Sequence, residues 1–260
     1  MKKKSNKSII IAACAVAFIG FAALIVHNYK TKTSFKYDSK TSEELKPEQN
    51  AQDAVSAKVN EEAEKLTKVR LESGLLKILP SDFVLGDKAA AVTVIEYASL
   101  SCPHCAAFAR ESFEKLKTEY IDSSKIKFVF RNFPLNQSAL TAAMFAHCQS
   151  QTDKTEATER YYGTLKVLFK TQDSWAFDEK YAEKLEAIAK LDGTSSERFK
   201  RCINDKNLQD KILNERMEAA QTLQLKSAPS FFVNGEVSEG YVDYQTLKKL
   251  IDKKLAEASK

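Results

Sequence analysis

Histidine is scarce in this chain: only His27, His104 and His147 occur in 260 residues. A structural zinc site needs four ligands, as a rule two close-spaced pairs of Cys or His. The chain carries one CxxC pair, at Cys102 and Cys105, and no second one, so a zinc reading finds little support. A c-type haem attachment would need His directly after Cys105, where Ala106 stands. A charge bias is missing as well. Residues 74–260 hold 27 Lys and Arg against 26 Asp and Glu, which leaves no basic stripe for nucleic acid. The net charge of +5 arises at the N-terminus, where residues 1–40 carry eight Lys against one Asp.

One long apolar run is present, IIIAACAVAFIGFAALIV from Ile9 to Val26, with four Lys ahead of it. Its 18 uncharged residues reach the lower end of a bilayer span, and the leading lysines keep the N-terminus cytoplasmic. An uncleaved signal-anchor is the main expectation, because the run exceeds a usual signal-peptide core. Cleavage after Ala22 is the alternative. A lipoprotein-type box at Ile11-Ala12-Ala13-Cys14 fits least, since the apolar run continues past Cys14. Every version exports the rest of the chain. In a bacterium the other four cysteines then face an oxidising periplasm, with the protein anchored to the inner membrane or soluble after cleavage.

Residues 1–26 thus form the anchor, residues 27–73 a polar tether with a possible short helix, and residues 74–260 the main domain. Within the tether, Val55, Val59, Ala63, Leu66 and Val69 recur at roughly helical spacing, closed by Gly74. This segment reads as a short helix leading into the domain or as an oligomerising stalk. VTVIEY (Val92–Tyr97) is a β-branched run suited to a strand, and KFVFRN (Lys127–Asn132) suits a second. Between them Phe108, Phe113, Leu116 and Tyr120 mark a helical face, giving a right-handed βαβ unit. A block of helices follows over about residues 138–225, including a capping-box spacing at Thr194 and Glu197. PSFFVNGEV reads as a hairpin turning at Asn234-Gly235, and Asp243 opens a closing helix. The expected fold is one α/β domain with an all-helical insertion.

Cys102 and Cys105 sit where the first strand ends and a helix begins. Unpaired N–H groups and the positive dipole end there favour a thiolate at Cys102, and His104 adds charge when protonated. Cys105, nearly one turn in, is expected to be the more buried. An exposed low-pKa sulfur beside a buried partner suits thiol–disulfide exchange. A purely structural disulfide across so short a loop is the alternative.

VIEYASLSCPHC, the helical insertion, and Ala228-Pro229 ahead of SFFVNG together resemble the DsbA-like thiol–disulfide oxidoreductases of the thioredoxin fold, over roughly residues 80–255. The resemblance implies that Cys102 is the nucleophilic sulfur, Cys105 its partner and His104 a stabiliser of the thiolate. It makes Pro229 a cis-proline lying against the sulfurs, with backbone groups free for a substrate strand. Ala228 departs from the Val or Thr common before that proline. Glu96, six positions before Cys102, matches an acidic residue that takes part in proton transfer; the plain alternative is a solvent-facing glutamate on an edge strand. Lys127 is a candidate counter-charge for it.

Cys148 and Cys202 fall on apolar helix faces and read as two buried thiols or as a disulfide, which an exported location favours. Such a bridge closes a loop of about 54 residues and stabilises by roughly 4 kcal/mol in the chain-entropy model. A metal site of His147, Cys148 and Cys202 is a minor reading. The expected activity is oxidation of exported proteins, unfolded or partly folded, with reoxidation by a DsbB-like membrane partner. No cofactor is expected. A disulfide isomerase or reductase, possible as an oligomer, is the alternative, and a non-enzymatic surface or metal-carrying protein the remote one.

Overall fold

The computed structural model describes residues 46–150 and 154–260. The apolar run Ile9–Val26, with Cys14, lies outside them. Among the described residues no helix is long and apolar enough to cross a membrane.

Helix α1 (Lys46–Glu72) has 27 residues, longer than its apolar spacing suggests. Its start lies in the polar tether, ahead of Val55, the first position of the helical spacing. The reason is compositional: after Pro47 no Pro or Gly interrupts a run rich in Ala, Glu, Lys and Gln until Gly74. Such a helix is mostly polar, and hydrophobic periodicity therefore under-reads it. The compact unit runs from Asn60 to Lys260 and so includes the final turns of α1. There Arg70 is buried, donates from Nε to the Leu223 carbonyl at 2.8 Å, and pairs with Glu239 at 3.2 Å.

Five strands follow: β1 (Val84–Gly86), β2 (Val92–Ala98), β3 (Ile126–Asn132), β4 (Ser230–Val233) and β5 (Glu236–Glu239). They form one sheet in the order β1-β3-β2-β4-β5, with β2 in the middle. Strands β2 and β3 are parallel, as the βαβ reading requires, and the other pairs are antiparallel. Strand β1, only three residues long, carries too little pattern to be read from sequence. It ends at Gly86 (φ +96°), where an added Cβ would lie 2.8 Å from the Ile126 carbonyl.

The crossover helix α2 starts at Pro103–Ala107 and continues through a π-helical turn at Phe108–Ser112, an α-helical turn at Phe113–Leu116 and a second π-helical turn at Lys117–Ile121. Between β3 and β4 lie α3 (Gln137–Gln149), α4 (Lys154–Lys170), α5 (Tyr181–Leu191), α6 (Ser196–Ile203) and α7 (Lys206–Thr222). Helix α8 (Tyr244–Ala258) closes the chain, with Asp243 accepting from the Thr246 N–H at 2.7 Å. The cap of α6 is Ser195, which accepts from the Arg198 N–H, and not Thr194. Thr194 is instead buried, its hydroxyl accepting from Gln149 at 2.8 Å, so tertiary contact outbids the local capping pattern.

Alternation along β2 divides the core. Val94 and Glu96 face α2, where Phe108 meets Phe231 at 4.6 Å and Phe113 meets Phe128 at 5.2 Å between ring centroids. Full burial of each such ring contributes about 1.5–3 kcal/mol. Ile95 and Tyr97 face the opposite side, where Arg131 is fixed by five acceptors. Its guanidinium makes a two-point pair with Asp82 (3.0 and 2.7 Å) and also donates to Tyr97 Oη and to the carbonyls of Leu75 and Lys77. Both partners are nearly excluded from solvent. Removing one charge from such a pair leaves the other buried and uncompensated. Asp82→Ala is therefore expected to lose about 3–5 kcal/mol in urea unfolding, and adding Arg131→Met should recover part of it. An unchanged urea midpoint in Asp82→Ala would sink this account.

Candidate active site

Strand β2 is buried along nearly its whole length and delivers the chain to a tight turn, Ser99–Cys102. The Phe133 N–H donates to the Ala98 carbonyl at 2.7 Å and the Cys102 N–H to the Ser99 carbonyl at 3.1 Å. Cys102 then caps α2 in an extended conformation, and Pro103 takes the first helical position, where its missing N–H has no carbonyl to reach. The Cys102 carbonyl is already the first helical acceptor, for the Ala106 N–H at 3.1 Å.

Both sulfurs are reduced and largely covered, Cys102 at 7% exposure and Cys105 at 0%. The order of accessibility follows the sequence reading, although Cys102 is less open than expected. The Cys102 thiol donates to the Ala228 carbonyl at 3.2 Å. The Ala228–Pro229 bond is cis. The Pro229 carbonyl itself accepts from the Gly240 N–H at 2.9 Å, so the backbone group that faces the thiol belongs to Ala228.

The two thiols differ sharply in acidity. Cys102 is lowered to about 6, chiefly by a hydrogen bond from the Cys105 thiol, opposed by burial, and helped by the backbone N–H groups of Cys105 and His104. The charge of His104 is the smallest of these contributions. Its ring is exposed and tilted against Tyr241, centroids 5.7 Å apart, where water screens it. Cys105 is pushed far up by burial and by the hydrogen bond that it gives to Cys102.

Glu96 lies in the middle strand at 3% exposure, opposite Phe130 and Phe231, which rules out the edge-strand reading. Its Oε1 has no hydrogen-bond partner. Burial, with the nearby Cys102, raises its pKa to about 8. Lys127 is not its counter-charge. It sits at the far end of β3 opposite Thr93 and donates to the Lys88 and Ala90 carbonyls at 3.0 and 2.8 Å.

Gln172 escaped the sequence reading. Buried in a short 3-10 turn after α4, it donates from Nε2 to the Leu100 and Cys102 carbonyls at 2.8 and 3.0 Å. It ties the helical insertion to the thiol turn, and no local pattern sets this glutamine apart from a surface one. The second cysteine pair stands elsewhere: Cys148 on α3 and Cys202 on α6 form a disulfide with Cα atoms 5.6 Å apart. That bond leaves no thiolate beside His147, whose Nε2 meets Asn132 Nδ2 at 3.2 Å and whose pKa burial lowers to about 3.

A pair of unlike thiols at the mouth of a helix, facing a cis-proline loop, defines a protein of thiol–disulfide exchange. Comparison with known proteins places it further. The family model described as Thioredoxin matches residues 79–253. The chain is 33% identical over 219 residues to a protein of Rickettsia conorii named as a protein-disulfide oxidoreductase, covering 84% of this chain and 76% of that one. It is 32% identical over 176 residues to a Bacillus anthracis protein named as disulfide bond formation protein D, covering 66% and 77%. The crystal structure of alpha-DsbA1 from Wolbachia pipientis superposes with a TM-score of 0.66 at 36% identity, over 71% of this chain and 96% of that one. The chain belongs to the thioredoxin family and, within it, is a DsbA-like thiol:disulfide oxidoreductase.

Titration of the reduced protein, followed by thiolate absorbance or alkylation rate, is expected to show one midpoint near 6 for Cys102 and none for Cys105 below the alkaline range. Cys105→Ala should raise that midpoint more than His104→Ala does; the reverse order would refute the ranking given above. Glu96 adds a pH signature of the opposite sign. Its folded pKa is raised, so the unfolded chain releases the proton first and stability falls as pH rises from about 4.5 to about 8. Glu96→Gln should flatten this part of the stability profile.

Proposed function

We propose that this enzyme donates disulfides to exported proteins that are unfolded or partly folded. The observation that carries the reading is the asymmetry of the sulfurs: a more accessible Cys102 that is stable as a thiolate, and a sealed Cys105 that is not. In the oxidised enzyme a substrate thiolate attacks Cys102, the Cys102–Cys105 bond breaks, and Cys105 leaves. Glu96, protonated at neutral pH by its raised pKa, gives Cys105 its proton. The substrate's second thiolate then attacks its own sulfur in the mixed disulfide and expels Cys102 as a thiolate. Two electrons pass from the substrate dithiol to the enzyme. A good leaving group at Cys102 drives the exchange toward substrate oxidation.

The Ala228 carbonyl, which accepts the Cys102 thiol, is the backbone group available to a substrate strand beside Pro229. His104 assists the thiolate mainly through its backbone N–H. The apolar run Ile9–Val26 and its leading lysines support an inner-membrane anchor with the domain in the periplasm, or a soluble periplasmic form if cleavage follows Ala22. Reoxidation then falls to a DsbB-like membrane partner, and the name of the Bacillus anthracis relative favours the same direction. The Cys148–Cys202 disulfide supports the insertion structurally.

The reduction potential tests the direction. It is expected to lie well above that of thioredoxin, and Cys102→Ser should abolish oxidation of a reduced dithiol peptide. A potential close to thioredoxin's, with reshuffling of a scrambled substrate by an oligomer, would instead establish the isomerase or reductase.

A further inference from the structure

A second candidate site lies between α2, α4 and the α2-facing side of the sheet. It is a cavity of about 330 Å³. Its walls are aromatic, with Phe108, Phe113, Phe128 and Phe169 among them. The first π-helical turn of α2 contributes Phe108, Ala109 and Arg110. Such a turn displaces the helix from regular packing and is common where a helix borders a functional site.

Polar groups stand at two depths. Glu96 is the deep one, a buried side chain whose Oε1 has no partner. Tyr162 shares the wall but its hydroxyl is already used, accepting from the Phe130 N–H at 3.0 Å and donating to the Phe83 carbonyl at 2.9 Å. The exposed rim holds Arg110, Lys166, Lys170 and Glu114. Lys166 pairs with Glu114 at 2.6 Å and Arg110 with Asp173 at 3.6 Å. Lys170 has no acidic partner among the described residues, so the rim keeps an excess of positive charge.

We propose that this cavity binds a small aromatic monocarboxylate carrying a hydroxyl at the end remote from its carboxylate. The ring lies among the phenylalanines, the hydroxyl meets the Glu96 carboxyl, and the carboxylate rests at the lysines. Size sets the class. Ligand pockets run from about 300 to 1,000 Å³, so this one takes a single-ring compound and not a two-chain lipid. Chemistry sets the polarity: a ligand that brings a hydroxyl inward satisfies the unpartnered Glu96 carboxyl, and a cationic rim selects an anion.

Binding is read directly and does not depend on redox activity. The full chain in detergent micelles is titrated with hydroxyphenylpropanoate, with phenylpropanoate and with hydroxyphenylpropanamide, by calorimetry and saturation-transfer NMR against micelles alone. The first probe is expected to saturate one site, and each of the others to bind about five- to tenfold more weakly. Ala109→Trp, which fills the wall, should remove binding. Lys166→Glu with Lys170→Glu should erase the advantage of the carboxylate over the amide. Glu96→Leu should erase the advantage of the hydroxyl, and Glu96→Gln should keep it. Absence of saturation, equal affinity for all three probes, or a carboxylate advantage that survives the lysine reversal would each overturn the proposal. The lysine reversal lies on the exposed rim, so it decides the matter even if a core variant does not fold.

Discussion

The middle strand governs this molecule. Strand β2 pairs with β3 on one side and β4 on the other, and six of its seven residues are buried. A strand held in this way cannot shift register without moving its whole apolar set to the wrong face. Its end at Ala98 is therefore a fixed point, and the turn that follows places Cys102 in one position. Strand β4 contributes at the same place, because the cis-proline loop runs directly into it and brings the Ala228 carbonyl to the sulfur. Sheet pairing thus fixes both halves of the thiol site, although they are 126 residues apart in the chain.

The insertion adds a third restraint. Gln172 holds two carbonyls of the turn, Leu100 and Cys102, from a buried position after α4. The helical block thus supports the site directly. The Cys148–Cys202 disulfide joins two helices of that block, and it leaves Cys102 and Cys105 as the free thiols among the described residues. One cysteine pair holds the scaffold while the other remains available for exchange.

Much of this was legible because it is local. A CxxC pair after a β-branched run, a Pro at the first helical position, and an Asn-Gly turn each act through neighbouring residues, and the fold follows from their order. What escaped was set by distant contacts. Strand β1 is three residues long and exists because β3 offers it an edge. Thr194 has the pattern of a cap but is drawn inward by Gln149. The 27 residues of α1 lack a strong apolar stripe, so their helicity rests on composition. Lys127 stands on the strand next to that of Glu96, yet parallel register sets them three residue pairs apart. Its place on the next strand made Lys127 a candidate counter-charge, and strand geometry forbids the pair.

The absence of that partner has a physical consequence. A buried carboxylate without a cation is far more costly than a neutral acid, so Glu96 holds its proton up to about pH 8. A neutral Glu96 spares the Cys102 thiolate a like charge. An ion pair with lysine would have reversed this: the carboxylate would stay charged beside the Cys102 thiolate. The aromatic cavity against Glu96 provides the low-dielectric surroundings that keep the unpaired acid protonated.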